Sequence, residues 1–172
     1  MNILAIVQAR MGSHRLPGKV MKTIQDKTLI EILLQRLSLS ELISKIVVAI
    51  PCEEQDDVLE NHILSKGYDV FRGATNDVLD RYYQVAKKYN PDVIVRVTGD
   101  CPLIDADIVD KTISLFLDGN FDYASNCNPP TFPDGLDTEV FSFDALNEIW
   151  LNRFSIEEKE HVTVSLRKNN KY

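Results

Sequence analysis

Residues 9–19, Ala9-Arg10-Met11-Gly12-Ser13-His14-Arg15-Leu16-Pro17-Gly18-Lys19, gather cations, a hydroxyl and two glycines in one short stretch. Glycine lets the backbone approach phosphate oxygens with no Cβ in the way, and successive amide N–H groups form an anion nest. Arg10, Arg15 and Lys19 add the charge-assisted donors a triphosphate needs. The spacing is not that of a Walker loop. Five residues separate Gly12 from Gly18, Val20 stands where a Ser or Thr would be, and no helix is predicted directly afterwards. Nor is it G-x-G-x-x-G, and no acidic residue ends the second strand to hold a ribose, which disfavours a Rossmann dehydrogenase. A basic loop that binds nothing is the plainer alternative.

A second group, Thr98-Gly99-Asp100-Cys101-Pro102, follows an apolar run at 92–97. A carboxylate at the carboxyl end of a central parallel strand reaches into the crevice where such sheets bind ligands. Mg²⁺ is hard and takes one or two carboxylates together with phosphate oxygens, so Asp100 is a candidate metal ligand. A G-D-x-P turn alone is common turn chemistry. Beside a triphosphate loop on a neighbouring strand it gains meaning.

Alternating elements must carry these two loops. Residues 2–8 read as a buried strand, and Leu29, Ile32, Leu33 and Leu37 recur at helical spacing over about Thr28–Ser38. Residues 45–50 are a second strand, stopped by Pro51, and 53–66 a helix ended by Gly67. A short strand at 68–71 leads to a helix over about 77–89, with Asn76 as its expected N-cap. After the strand at 92–97, Asp105 can cap a helix over 106–117. This order gives a doubly wound, mostly parallel α/β sheet with helices on both faces. Beyond Phe121 the pattern changes. A Pro-rich loop at 126–135 precedes a strand at 137–142 that is expected to leave the main sheet, then helices near 143–152 and 156–168. The chain reads as one domain over 1–172: a nucleotide-binding core to about 120 and a small appended region after it.

With 172 residues, 44% hydrophobic and 26% charged, the composition is that of an ordinary globular domain. No apolar stretch approaches a membrane span, and the N-terminus has no basic segment ahead of its apolar run, so a cytoplasmic location without a membrane partner is expected. Cys52, Cys101 and Cys127 are scattered, which suits reduced thiols. The net charge of −7 argues against a nucleic-acid surface. Yet residues 1–25 hold Arg10, Arg15, Lys19 and Lys22 and no acid. A cationic segment on an acidic chain is a local anion site.

A-R-x-G-S-x-R-L-P-G-K near the N-terminus, with G-D-x-P after a central strand, resembles the sugar-activating cytidylyltransferases, including CMP-KDO and CMP-sialic acid synthetases. The likeness is greater to the spore-coat polysaccharide biosynthesis F-type branch. There Val70-Phe71-Arg72-Gly73, the run Asp77–Tyr83, Ser125-Asn126, Pro133–Asp137 and Glu160-His161-Val162-Thr163 also fit. The resemblance spans essentially the whole chain. It implies a nucleotide-diphospho-sugar transferase-like fold, with CMP passing from CTP to an acidic sugar or sugar phosphate, pyrophosphate leaving, and Mg²⁺ as cofactor. It also implies that Arg10, Ser13, Arg15 and Lys19 hold the nucleotide's phosphates, that Ala9 and Gly12 lie at the nucleotide, and that Asp100 holds the metal. Arg15, Lys19 and Asp100 would be the catalytic groups. Arg72, Arg81 and Thr98 would lie near the nucleotide, Asn126, Asp137, Glu139 and His161 near the sugar. Relatives commonly form homodimers through the region after residue 120.

Other readings stay open at several positions. Arg81 can pair with Asp77 on its own helix, Asp137 can simply shape a turn, and His161 can be a packed helix residue. Tyr82 and Tyr83 suit core and rim better than base stacking, His62 suits a solvated helix face, and His14 has no evident partner. Thr98 stands where CMP-KDO synthetases carry glutamine. Relatives also continue into a segment with a second metal-binding aspartate, absent before Tyr172, so the expectation is CTP binding with poor turnover. A non-catalytic nucleotide-binding or oligomerising remnant and a guanylyl- or uridylyltransferase on the same fold are the alternatives.

Overall fold

The computed structural model describes residues 1–13, 15–119, 121–153 and 155–168; His14, named above, lies outside them. β1 (Ile3–Gln8) is the central strand, buried at every residue but the last. The basic loop that follows ends in a 3-10 turn at Lys19–Met21 and a small hairpin, β2 (Thr23–Ile24) with β3 (Lys27–Thr28). Two residues a side are too few to show an alternation, so sequence patterning does not reveal this hairpin. α1 (Leu29–Leu37) starts at Thr28, whose hydroxyl accepts from the Glu31 amide. Then come β4 (Lys45–Pro51), α2 (Asp57–Ser65), β5 (Asp69–Gly73), α3 (Val78–Tyr89), β6 (Val93–Thr98) and α4 (Ala106–Gly119). The chain continues through β7 (Tyr123–Ser125), β8 (Glu139–Ser142), α5 (Phe143–Leu151), α6 (Ile156–Glu160) and α7 (Val164–Lys168).

The sheet runs β5-β4-β1-β6-β8-β7. β5, β4, β1 and β6 are parallel neighbours, and β8 is antiparallel to both β6 and β7. From β1 the chain winds outward through β4 to β5, then crosses to the other side of β1 to form β6. The strand order therefore reverses between β1 and β6, and a crevice opens at their carboxyl ends. Both faces are covered. Leu33, Leu37, Leu59, Ile63, Val109 and Ile113 pack beneath Ala5, Val7, Val48 and Val95. Leu79, Tyr82, Val85, Leu146, Ile149 and Leu166 cover Leu4, Ile6, Val47 and Ile94. Because both sides are buried, the strands are apolar throughout rather than alternating.

Four local expectations are corrected. The strand at 137–142 does not leave the sheet: Glu139–Ser142 pairs with β6, and Val140 and Phe141 enter opposite core clusters. A strand apolar on both faces has to lie inside a covered sheet. The cap of α3 is Asp77, not Asn76, because the Asp77 carboxylate accepts from the Asp80 amide at 2.8 Å. The C-terminal helix is two short helices, broken where Val162 takes a left-handed φ of 40°. His62 is not on a solvated face; its Nε2 is 2.9 Å from the Thr28 hydroxyl and 3.8 Å from Glu31. Tyr82 and Tyr83 are core and rim, as expected. Tyr82 is buried and donates to the Ile6 carbonyl at 3.1 Å, and Tyr83 stacks on Trp150 with centroids 3.9 Å apart.

One buried carboxylate ties the C-terminal helices to the sheet. Glu139, 2% exposed, accepts from the hydroxyls of Tyr123 and Thr163, each at 2.7 Å, and pairs with Arg96 and Arg167. Burial pushes its carboxyl up, but the two guanidinium groups and two hydroxyls outweigh this and hold it below its ordinary 4.5. Glu139→Ala leaves Arg96 without its counter-charge, and urea unfolding at neutral pH should show a loss of about 3–5 kcal/mol. The folded pKa lies below the unfolded one, so this contribution is present above the ordinary carboxylate range and is lost as pH falls through the folded value. The gap between wild type and variant should therefore narrow in acid; a gap that stays constant with pH would contradict the assignment.

Candidate active site

The crevice at the β1–β6 reversal is a cleft of ≈ 370 Å³, within the roughly 300–1,000 Å³ typical of small-molecule sites. Its N-terminal wall is the basic loop. Gln8 ends β1 and Ala9 is held by a hydrogen bond from its amide to the Ala49 carbonyl at 3.2 Å. The loop then closes on itself, with the Met11 carbonyl accepting from the amides of Ser13 at 2.9 Å and Gly18 at 2.8 Å. Gly18 has φ 66°, a left-handed conformation that a Cβ disfavours. The neck of the loop is pinned from below: the Met11 amide donates to Asp56 Oδ1 at 2.7 Å, and Asp56 is fully buried. Burial pushes the Asp56 carboxyl up, against the lowering effect of that amide and of Arg72 and Arg81.

The opposite wall is the turn after β6. Gly99 packs against the end of β1, its amide donating to the Gln8 carbonyl at 2.8 Å. A Cβ there would sit 2.8 Å from that carbonyl oxygen and 2.9 Å from Ala9 Cβ. Only glycine allows the two strand ends this close. Asp100 follows, ion-paired with Lys19 across the cleft. Burial raises the Asp100 carboxyl, but hydrogen bonds from Lys19 and Thr98 and the Lys19 charge bring it below its ordinary value. Asp100 is therefore ionised at neutral pH.

Of the residues expected at the site, Ala9, Arg10, Ser13, Arg15, Lys19, Arg81, Thr98, Asp100 and His161 line this one cleft. Arg81 does not pair with Asp77, which binds Arg153 at 3.2 Å instead. It is 2% exposed and donates to the Ala74 and Thr75 carbonyls. Burial and the nearby Arg10 lower its pKa. A buried guanidinium with no ion-paired carboxylate among the described residues favours an incoming anion.

The remaining expected residues are not brought to the cleft lining. Gly12 lies against the Gln55 side chain. Arg72 is held by Asp57 at 2.5 Å and Glu60 at 2.8 Å on α2. The Asn126 side chain clasps the Pro-rich loop, donating to the Leu136 carbonyl at 2.7 Å and accepting from the Thr138 amide at 2.8 Å. Glu139 is enclosed as described above. Asp137 lies beside Asp134, and burial followed by the charges of Asp134 and Glu139 raises its carboxyl. Physical reasons are shared: a polar side chain on a loop or strand end finds a protein partner as readily as a ligand.

Two polar lining residues, Gln8 and Arg96, were not singled out by sequence reasoning, and Glu160 entered it only as part of the Glu160–Thr163 motif. Arg96 carried a signal, being the one charge within Val93–Thr98. The cleft thus presents five cationic side chains against two carboxylates. Among the described residues no group of three or more His, Cys, Asp or Glu could hold a metal. Asp100 alone fits Mg²⁺ only where phosphate oxygens complete the shell.

A doubly wound sheet with a cation-lined, loop-walled cleft at its reversal point defines a nucleotide-binding α/β protein of nucleotidyltransferase type. The family model described as cytidylyltransferase matches residues 4–172. The spore coat polysaccharide biosynthesis protein SpsF of Bacillus subtilis is 38% identical over 171 residues, covering 96% of this chain and 70% of that protein. A 3-deoxy-manno-octulosonate cytidylyltransferase of Pelobacter propionicus is 34% identical over 121 residues, 69% of this chain and 46% of that protein. A solved cytidylyltransferase from Leptospira borgpetersenii superposes with TM-score 0.94 at 39% identity, covering 99% of this chain and 73% of that one. The chain belongs to the cytidylyltransferase family. Among the described residues no helix is long and apolar enough to cross a membrane.

The close approach at Gly99 yields a direct test. Gly99→Ala forces the ends of β1 and β6 apart, at a cost of about 1–3 kcal/mol. Urea unfolding should show that loss, and ligand affinity at the cleft should fall with it; an unchanged midpoint would mean the strand ends move freely.

Proposed function

We propose that the protein transfers CMP from CTP to a sugar carrying an acidic or phosphate group and releases pyrophosphate. One observation carries this reading: in a chain of this family, the loop cations and the Asp100 carboxylate face each other across a cleft sized for a small ligand. The acceptor oxygen attacks the α-phosphorus in line, the bond from that phosphorus to the β-phosphate oxygen breaks, and the acceptor's proton passes to solvent. The chain's own contribution is positioning and charge neutralisation. Arg10, Arg15, Lys19 and the amides of the closed loop hold the phosphates. The Lys19–Asp100 pair keeps both groups in place without ligand. On nucleotide binding Lys19 exchanges its carboxylate for phosphate, leaving Asp100 free to hold Mg²⁺, which supplies further neutralisation of the phosphates when bound. His161 and Glu160 form the rim contributed by the C-terminal helices.

Two variants test this. Lys19→Ala should weaken CTP by roughly 2–4 kcal/mol in calorimetry while leaving cytidine unaffected. An equal loss for both ligands would assign Lys19 to folding. Asp100→Asn should abolish the tightening of CTP binding by Mg²⁺, and equal Mg²⁺ dependence in variant and wild type would remove the metal assignment. Pyrophosphate release from CTP and Mg²⁺ with a panel of acidic sugars and sugar phosphates tests the reaction itself.

A further inference from the structure

α2 begins without the cap that its sequence offers. Asp56 stands at the N-cap position, where an aspartate ordinarily accepts from an amide of its own first turn, yet its side chain makes no such bond. The carboxylate is turned away from its helix. Its Oδ1 accepts from the Met11 amide at 2.7 Å, forty-five residues back along the chain, and the residue is fully buried. Its Oδ2 is buried with no hydrogen-bond partner among the described residues. A carboxylate that forgoes its own helix, loses its water and leaves one oxygen unmet is not placed there by local stability. Such inconsistencies gather at functional sites.

What Asp56 holds is the neck of the basic loop. The Met11 amide belongs to the peptide that follows Arg10, and the Ala9 amide before it is bonded to the Ala49 carbonyl at 3.2 Å. Arg10 is thus set between two anchored amides, and it lines the cleft. The Met11 carbonyl is the acceptor that closes the loop, taking the Ser13 amide at 2.9 Å and the Gly18 amide at 2.8 Å. Orientation fixed at Met11 therefore passes to Ser13 and, through Gly18, to Lys19. Gln55 rests against the same neck, since a Cβ on Gly12 would come within 3.3 Å of its Nε2. The segment that carries Gln55 and Asp56 is itself braced. Arg72 on β5 donates to the Glu53 carbonyl at 2.7 Å and pairs with Asp57 and Glu60 of α2.

We infer that Asp56 is a positioning residue for anion binding: by fixing the Met11 amide it holds Arg10, Ser13 and Lys19 in the arrangement that receives phosphate. It does not itself line the cleft. The inference rests on the reading of the cleft as a CTP site. The reach of the side chain sets the loop, and its charge is not required. An amide oxygen in place of Oδ1 accepts from Met11 equally, and exchanging Oδ2 for a nitrogen breaks no hydrogen bond. One added methylene keeps the charge but pushes the loop outward.

The test is calorimetry with inorganic pyrophosphate and CTP on wild type, Asp56→Asn, Asp56→Leu and Asp56→Glu, at a temperature where thermal melting shows each protein folded. Asp56→Leu and Asp56→Glu should weaken pyrophosphate by about tenfold or more, the equivalent of one misplaced charge-assisted hydrogen bond. Asp56→Asn should bind it no more weakly than wild type. A purely structural role moves the melting temperatures and leaves the folded variants alike in affinity, which overturns the inference. Affinity that follows charge, with Asp56→Glu like wild type and Asp56→Asn weakened, overturns it as well. In wild type the Met11 amide should be protected from hydrogen exchange before any ligand is added, and exchange as fast as in an open loop overturns the inference without recourse to a variant. Wild type that binds neither CTP nor pyrophosphate overturns the cleft reading itself, whereas the other outcomes leave CTP binding intact.

Discussion

The parallel pairing of β1 with β6 is the constraint from which the site follows. Six register pairs, from Ile3 with Val93 to Gln8 with Thr98, bring two loops eighty-odd residues apart in sequence to the same edge. The pair ends in a contact that tolerates no side chain, where Gly99 meets Gln8 and Ala9. Everything polar in the cleft hangs from that closure. The basic loop leaves from one strand, the Asp100 turn from the other, and α3 swings Arg81 in from above. A shift of register by one residue would turn Gln8, Arg96 and Thr98 to the other face of the sheet.

The second organising influence is charge held away from water. An acidic chain concentrates cations in one cleft, and two of them, Arg81 and Arg96, are largely buried. Buried cations need opposing groups, and the protein supplies them incompletely. Glu139 neutralises Arg96 while also holding Arg167, so this ionic knot is itself one positive charge in excess. Arg81 has only carbonyl partners. Such an arrangement stores electrostatic free energy that an anionic ligand releases, and it is organised before the ligand arrives. The same knot joins α7 and the His161 rim to the sheet, so the wall of the cleft and the stability of the C-terminal segment are linked through one carboxylate.

Much of this was legible in the linear chain. Apolar runs of strand length separated by amphipathic helices implied the doubly wound sheet, because a strand covered on both faces has to be apolar throughout. The cations, glycines and hydroxyl of residues 9–19 implied an anion loop through their side-chain chemistry and freedom from Cβ, which are properties of residue type. Asp100 followed from its place just past a central strand. The tertiary structure alone decided which polar residues remain available to a ligand. Glu139, Asn126 and Arg72 look as reactive in sequence as Asp100 or Arg81, but each is enclosed by partners ten to forty-three residues away. Asp56 looks like an ordinary helix residue, and only the fold turns its carboxylate onto the Met11 amide. Residue type and local spacing fix what a side chain can do; whether it is satisfied by the protein or left for a ligand depends on long-range packing, which has no local signature.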